Sequence, residues 1–195
     1  MSILIIRHGQ DLPNYRGGWS KNGLSDEGKK QAHKLGQHLI SYNISRIITS
    51  DLPRASETAE IINGYLNLPI EYSKEWREIN AGLLSGMSKN KSDEKYPGYY
   101  IEKIGIDQHF PKGESPREFY KRVIKAFEML QQNVSRDENI ALITHGGVIM
   151  ALFHYLEDLD WIYNRQYLKV EKCSISILVF KEGYWKIIKK NYYNY

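Results

Sequence analysis

The sequence predicts an α/β fold, in which a largely parallel sheet is covered by helices on both faces. Two runs of consecutive apolar residues, 3–6 and 140–143, are typical of short strands that are buried on both sides. Each run ends abruptly in polar residues and glycine, and an amphipathic helix pattern follows. Such strands occur almost only in parallel sheets, because helices must cover both of their faces.

Length and composition limit the class of protein. A chain of 195 residues forms one domain with one core, and its formal charge of +4 is dispersed, which favours a small acidic substrate over nucleic acid. The single cysteine, Cys173, excludes an internal disulfide and indicates a reducing compartment. Because no apolar run is long enough to cross a bilayer, we expect a cytoplasmic protein without membrane partners. The sequence does not indicate an oligomeric state.

The first third of the chain predicts two strands and two helices. Residues 11–23, rich in Gly, Asn and aromatic residues, form a predicted loop over the end of the first strand. Ser25 is the expected cap of a helix that runs to about residue 42, with His33 and His38 solvated. Its predicted buried stripe comprises Ala32, Leu35, Gly36, Leu39 and Ile40. Residues 46–50 form a predicted second strand, and 50–53 a helix start with a capping residue and Pro53.

The middle of the chain predicts a third strand at 69–72 and then a long irregular segment, residues 85–113. A loop of this length is unusual unless it is functional or partly helical, and we expect it to form a lid over a binding site. A helix follows, because Ser115, Pro116 and Glu118 form a capping box with proline at the first position. Its apolar stripe comprises Phe119, Val123, Ala126, Phe127, Leu130 and Val134.

The last third predicts a strand at 140–144, a helix at about 148–156 and a terminal strand pair at 175–180 and 185–189. His109 and His154 are expected to be solvated. Arg7 and His8 follow the first strand, His145 follows the 140–144 strand, and Arg54 follows the second strand. The carboxyl ends of parallel strands share one edge of the sheet, so these side chains are expected to converge.

The chemistry of these side chains favours a phosphate group. Guanidinium offers a planar fork of donors, a neutral imidazole is a nucleophile, and a protonated imidazole binds a phosphoryl oxygen. The alternative is structural: His8 and Arg7 cap a strand, Arg54 lies on a helix surface and Glu78 is a solvated loop carboxylate. The pattern of residue types leaves both interpretations open at this point.

Several short segments carry a recognisable set of residues in a fixed order. They are Arg7-His8-Gly9-Gln10, Leu24-Ser25 with Gly28, Ser50 with Leu52, Arg54, Ala55, Thr58 and Ala59, Arg77-Glu78, Gly113-Glu114-Ser115, and Thr144-His145-Gly146-Gly147. Together they resemble the histidine phosphatase superfamily, also called the phosphoglycerate mutase-like family, over nearly the whole chain. The resemblance implies a three-layer α/β/α sandwich with a largely parallel central sheet. It also implies that residues 1–195 are one domain, with the lid at about 85–113 as an insertion.

The resemblance also implies roles for individual residues. His8 becomes the nucleophile, and Glu78 the general acid and then the general base, in a two-step hydrolysis that needs no metal or other cofactor. The implied catalytic residues are Arg7, His8, Arg54, Glu78 and His145. The implied substrate-binding residues are Arg7, Asn14, Arg54, His145 and Gly146. Asn14 is the least secure match, because Asp11-Leu12-Pro13 before it departs from the family pattern.

The function implied is a phosphatase that hydrolyses small-molecule phosphate monoesters through a phosphohistidine. One alternative is a cofactor-dependent phosphoglycerate mutase, although the chain lacks the extra segments with which such mutases exclude water. The other is a phospho-ligand-binding protein of the same fold without turnover. Such a protein would be expected to have lost His8 or Glu78, and this sequence keeps both.

Overall fold

A computed structural model describes residues 1–135, 137–162, 165 and 168–195 of the chain. The described residues form a six-stranded sheet in the order β3-β2-β4-β1-β5-β6. The strands are β1 (Ser2–Arg7), β2 (Arg46–Ser50), β3 (Ile70–Ser73), β4 (Asn139–Thr144), β5 (Ile175–Lys181) and β6 (Tyr184–Tyr192). The first four strands are parallel to one another, and β5 and β6 add an antiparallel edge. The predicted α/β fold with a largely parallel sheet is confirmed.

Helices cover both faces of the sheet. They are α1 (Asp26–Leu39), α2 (Pro53–Leu66), α3 (Lys89–Lys95), α4 (Pro116–Gln132) and α5 (Gly146–Leu156). Alternate residues of β1 point to opposite faces, so Ile3 and Ile5 join the cluster that contains Phe127 of α4, whereas Leu4 and Ile6 join the cluster that contains Leu35 of α1. Two separate apolar layers therefore enclose β1, which gives the three-layer sandwich. None of the helices in the described residues is long and apolar enough to span a membrane.

Helix α1 begins where the sequence predicts and ends earlier. The Ser25 hydroxyl accepts a hydrogen bond from the Gly28 N–H, as expected of a cap. The α-helix stops at Leu39, and Ile40 starts a short 3₁₀ turn that moves its side chain off the buried stripe, leaving it 60% exposed. The prediction that Ile40 is buried is therefore wrong. His33 is exposed, but the His38 ring is half-buried and stacks on Tyr195.

Three other local predictions need correction. The cap position of α2 is Leu52, whose side chain makes no capping bond, and the Ser50 hydroxyl instead accepts the Leu52 N–H within the turn. Val134 lies beyond the end of α4 and is half-buried. His154 is buried on α5, where its Nδ1 lies 2.7 Å from the Met150 carbonyl oxygen, because this face of α5 packs into the core. The capping box of Ser115 and Glu118 is confirmed.

The segment 85–113 is partly helical and is fixed to the core at its far end. Helix α3 occupies its first part, while Ile104 and Phe110 are buried in the same apolar cluster as Phe127. The Arg165 guanidinium donates hydrogen bonds to the carbonyl oxygens of Ile101 and Ile104. These contacts hold the middle of the segment against Arg165 and the apolar cluster that contains Phe127.

Candidate active site

The carboxyl ends of β1 and β4 place two histidines side by side. Arg7 pairs with Thr144 at the end of the parallel ladder, and the His8 N–H donates a hydrogen bond to the Thr144 carbonyl oxygen at 2.9 Å. The imidazoles of His8 and His145 follow directly, with ring centroids 5.0 Å apart. Both rings are buried. The strand order thus brings together two side chains that are 137 positions apart in the sequence.

The neighbours of His8 fix its tautomer. Its Nδ1 lies 2.7 Å from the Gly9 carbonyl oxygen, which can only accept, so Nδ1 carries the proton. Its Nε2 lies 3.2 Å from Nε of Arg54, which can only donate. The lone pair of His8 is therefore on Nε2, beside a guanidinium.

Burial makes both imidazoles neutral near pH 7. It lowers the pKa of His8 well below the usual 6.5, and the positive charges of Lys172 and Arg54 lower it further. Burial likewise lowers the pKa of His145 well below 6.5, assisted by Arg54 and Lys172. His8 is thus available as a base and nucleophile at neutral pH. The neutral ring of His8 agrees with the predicted nucleophile, whereas a protonated ring that binds a phosphoryl oxygen does not fit His145, because burial disfavours its charged form.

Arg54 connects the nucleophile candidate to the loop over the strand ends. Its side chain is 1% exposed at the start of α2, and its Nη2 donates to the Gly18 carbonyl oxygen at 2.8 Å. Nη1 donates to the Ser20 hydroxyl at 3.3 Å, and Nε lies 3.6 Å from a carboxylate oxygen of Asp11. This arrangement excludes the alternative of a helix-surface arginine. A buried guanidinium against an imidazole lone pair suits an anion-binding role.

Arg7 supplies a second guanidinium to the cavity that His8 lines. It ends β1, and its Nη1 donates to the Val170 carbonyl oxygen. Its Nε is buried and has no hydrogen-bond partner among the described residues. Gly146 leaves room for it, since a β-carbon at that position would lie 3.3 Å from the Arg7 guanidinium carbon. A buried donor without a partner is costly, which favours a ligand at this position.

Glu78 reaches the same site from the segment after β3. One carboxylate oxygen accepts the Gly147 N–H at the start of α5 at 3.1 Å, and the other accepts the Ile79 N–H at 3.0 Å. The Glu78 backbone is fixed too, because its carbonyl oxygen accepts hydrogen bonds from the Trp19 indole and the Arg122 guanidinium. Glu78 lines the cavity that contains His8, so it is not a solvated loop carboxylate.

Asn14 lies outside this group. It is exposed, and it does not line the cavity, although its neighbours Pro13 and Tyr15 do. Its backbone carbonyl oxygen accepts the Lys89 N–H at 2.9 Å. The role of Asn14 in phosphate binding stays a prediction.

Two residues that the sequence did not single out as site residues belong to the site. The Ser50 hydroxyl lies 2.8 Å from Nε2 of His145, a position that the sequence suggested for a helix cap. The Lys172 ammonium lies 2.8 Å from a carboxylate oxygen of Asp11 and lines the cavity beside Arg7. No local pattern could have identified Lys172, because its partner is 161 positions away.

A cavity of about 680 Å³ is lined by Arg7, His8, Arg54, Glu78 and Lys172, whereas His145 and Ser50 lie behind its wall of described residues. Among the described residues, its cationic side chains are Arg7, Arg16, Arg54, Lys89, Arg165, Lys169 and Lys172, and its acidic ones are Asp11, Glu78 and Glu102. With neutral histidines the lining carries a net charge of +4, which favours an anionic ligand. In the part of the chain that the structure describes, no group of three or more His, Cys, Asp or Glu residues is arranged to bind a metal ion.

The chain is similar to several curated proteins. It is 33% identical to 6-phosphofructo-2-kinase/fructose-2,6-bisphosphatase 1 of Bos taurus over 162 residues, which is 80% of this chain and about a third of that protein's length. It is 27% identical to the uncharacterized phosphatase PhoE of Bacillus subtilis (strain 168), covering 95% of this chain and 92% of PhoE. It is 28% identical to the probable phosphoglycerate mutase GpmB of Salmonella arizonae, covering 95% and 87%.

Among solved structures, Bacillus stearothermophilus YhfR has the same fold. It superimposes with a TM-score of 0.88 at 22% identity and covers 98% of this chain and 96% of its own. The family model of the histidine phosphatase superfamily (branch 1) matches residues 3–192, from β1, which His8 directly follows, to the last residue of β6. The predicted resemblance is confirmed, and the chain belongs to the histidine phosphatase superfamily (branch 1).

Proposed function

We propose that the protein hydrolyses small-molecule phosphate monoesters through a phosphohistidine formed on His8. The observation that carries this proposal is the buried, neutral imidazole of His8, which lines a cationic cavity and whose Nε2 lone pair lies beside the Arg54 guanidinium. The superfamily consists of phosphatases and mutases, so the choice between hydrolysis and transfer is the part that we propose.

The first step is phosphoryl transfer from the ester to the protein. Nε2 of His8 attacks the phosphorus atom, the new N–P bond forms, and the bond from phosphorus to the ester oxygen breaks. Arg7 and Arg54 stabilise the negative charge that spreads over the other phosphoryl oxygens, with neutral His145 as a further hydrogen-bond partner. Protonated Glu78 gives its proton to the departing alkoxide, which leaves as an alcohol.

The second step returns the protein to its starting state. The Glu78 carboxylate accepts a proton from water, whose oxygen attacks the phosphorus while the N–P bond breaks. Inorganic phosphate leaves, His8 regains its Nε2 lone pair and Glu78 is again protonated. The charge needed at the phosphoryl group comes from the two guanidiniums, so we expect turnover to persist in EDTA.

The charged lining of the cavity supports the proposed substrate class, and the residues of its wall support the proposed lid. Its lysines and arginines suit a sugar phosphate, a nucleotide or another polyanionic ester. Tyr100, Ile101, Glu102 and Phe110 from the segment 85–113 form part of its wall. We therefore propose that this segment acts as a lid on the single domain of residues 1–195.

The test is a turnover screen across phosphate esters in the presence of EDTA. We expect metal-independent release of phosphate from p-nitrophenyl phosphate and faster release from at least one natural ester. With 3-phosphoglycerate and a 2,3-bisphosphoglycerate primer, phosphate release or no reaction is expected. Efficient formation of 2-phosphoglycerate would identify a mutase, and saturable binding of phosphate esters without any turnover would identify the non-catalytic alternative.

Glu78→Gln is expected to act on the first step according to the leaving group. An alkoxide needs a proton to leave, so phosphorylation by alkyl phosphates should slow by about 10²- to 10⁴-fold, the usual contribution of a general acid. p-Nitrophenolate scarcely needs a proton, so the burst of p-nitrophenol should keep its rate within a few-fold. Rapid-quench kinetics measures both. Equal slowing of the two burst rates would assign the acid to another residue, such as His109 or Glu102.

Gly147→Ala tests the position of the same carboxylate without changing its chemistry. A β-carbon at residue 147 would overlap a carboxylate oxygen of Glu78, which must then move away from the start of α5. We expect a selective loss of kcat/KM on alkyl phosphates, as for Glu78→Gln but smaller. Gly64→Ala is the matched control, since a β-carbon there meets no atom within 4 Å. Unchanged selectivity in Gly147→Ala would show that this contact is dispensable.

A further inference from the structure

Lys172 is a buried cation that lies within the phosphate pocket and that the mechanism above does not use. Its ammonium lies 2.8 Å from one carboxylate oxygen of Asp11, and the other oxygen of Asp11 lies 3.6 Å from Nε of Arg54. Nε of Arg54 in turn lies 3.2 Å from Nε2 of His8. Asp11 thus lies between two cations, and a short chain of contacts connects Lys172 to the nucleophile.

A backbone hydrogen bond connects the residue after Lys172 to the end of β1. The Cys173 N–H donates a hydrogen bond to the Arg7 carbonyl oxygen at 3.1 Å, and Cys173 adopts a left-handed conformation with φ of 55°. The Tyr195 hydroxyl donates to the Cys173 carbonyl oxygen at 2.7 Å. A non-glycine residue keeps a positive φ only where its surroundings enforce it. The backbone at Cys173 is therefore held in one conformation, which fixes the position from which the Lys172 side chain extends.

The charge balance of the inner pocket shows what Lys172 adds. With both imidazoles neutral, the positive charges of Arg7 and Arg54 are cancelled by the negative charges of Asp11 and Glu78 whenever Glu78 is ionised. A phosphate monoester is close to a dianion at neutral pH. In that state the pocket without Lys172 has no net charge, and with Glu78 protonated, as the first step requires, it carries only +1, so the additional cation strengthens the attraction for a dianion in either state.

We propose that Lys172 is a third cationic ligand of the substrate's phosphoryl group, beside Arg7 and Arg54, and that Asp11 orients it. The proposal rests on the proposed function only in placing a phosphate group next to His8. It makes Lys172 a binding residue whose charge sets the affinity of the pocket for dianions.

The ionisation of Lys172 gives the proposal a pH signature. Burial and the neighbouring charges of Arg7 and Arg54 lower its pKa from 10.5 to about 8, although Asp11 opposes the shift. The other titratable groups that interact with Lys172 are His8 and His145, both neutral, and the Cys173 thiol, whose pKa burial raises to about 12. The ammonium charge is present below about pH 8 and is lost as the pH rises above it.

The test is the affinity for sulfate, measured by calorimetry from about pH 6 to 9.5, since sulfate is a dianion throughout and requires no turnover. Below about pH 7.5, Lys172→Met is expected to bind sulfate about ten- to a hundredfold more weakly than the wild type, the scale of one charge-assisted hydrogen bond. The difference should shrink as the pH rises above 8. Lys172→Arg should keep its affinity across the range, because a guanidinium does not titrate there.

Lys181→Met is the matched control, because it removes one exposed positive charge at the end of β5. It should bind sulfate as the wild type does. Equal affinity of Lys172→Met and the wild type at pH 6.5, or an equal loss in Lys181→Met, would overturn the proposal. If Lys172→Met does not fold, Lys172→Arg decides alone. If the sulfate affinity of Lys172→Arg falls above pH 8 as steeply as that of the wild type, the assignment is contradicted. Sulfate binding is independent of hydrolysis, so failure of one proposal leaves the other testable.

Discussion

His8→Asn is expected to lower the turnover of every phosphate monoester by at least about 10⁴-fold, the scale on which enzymes lose activity with their nucleophile. The reason is geometric, since the Nε2 lone pair of the buried His8 imidazole lies 3.2 Å from Nε of Arg54, next to the cavity. Nε2 of His145, whose ring centroid lies 5.0 Å from that of His8, instead lies 2.8 Å from the Ser50 hydroxyl. Steady-state kinetics with p-nitrophenyl phosphate and with alkyl phosphates measures the loss.

Two controls make the result specific. Asn keeps a polar side chain in this buried position, and calorimetric sulfate binding shows whether the variant retains a folded pocket. His33→Ala removes an exposed histidine outside the cavity and should keep wild-type rates. A folded His8→Asn protein with more than a few per cent of wild-type turnover would place the nucleophile elsewhere.

Arg54→Met is expected to give the second largest effect. The guanidinium contacts His8, Ser20 and the Gly18 carbonyl oxygen, and we propose that it also binds a phosphoryl oxygen. Loss of a charge-assisted hydrogen bond to the transition state costs about 1.5 to 3 kcal/mol, so kcat/KM should fall by about ten- to a hundredfold or more. The activated aryl phosphate should show the same loss, because this effect does not depend on the leaving group.

Arg54→Lys separates charge from geometry. An ammonium cannot reach all of these partners as a planar fork does, so it should recover only part of the lost activity. Arg117→Met is the control, since Arg117 pairs with Asp107 outside the cavity. Wild-type kcat/KM in a folded Arg54→Met protein would refute a role for this residue in phosphate binding.

Features encoded by neighbouring residues were predictable from the sequence. The capping box that starts α4 depends on Ser115 and Glu118, three positions apart, and the structure shows both of its hydrogen bonds. The buried strands β1 and β4 follow from short apolar runs, and the parallel order of those strands brings His8 and His145 together. The motif that contains Arg54 predicted a position near His8, and the structure places its guanidinium 3.2 Å from that ring.

Features that depend on the tertiary environment were not predictable. The neutral state of His145 depends on burial by segments from across the chain, and the pattern of residues does not contain that information. The position of Lys172 at the site could not be predicted either, because it depends on an ion pair with Asp11, which is far away in sequence. The prediction that Ile40 is buried was wrong for a local reason. The α-helix ends one residue before Ile40, and the stripe of buried positions ends with the helix.

The most direct test of the phosphohistidine claim is the position of the phosphoryl group on the quenched protein. The Nδ1–H of His8 is directed to the Gly9 carbonyl oxygen, which leaves Nε2 as the reactive atom. Wild-type protein and Glu78→Gln, in which the second step should be slow, are mixed with p-nitrophenyl phosphate and quenched in alkali, which preserves phosphohistidine. Peptide mass spectrometry and ³¹P NMR should then show one phosphoryl group on Nε2 of His8. A phosphoryl group on Nδ1 of His8 or on His145, or rapid turnover in both proteins without any phosphorylated histidine, would contradict the account.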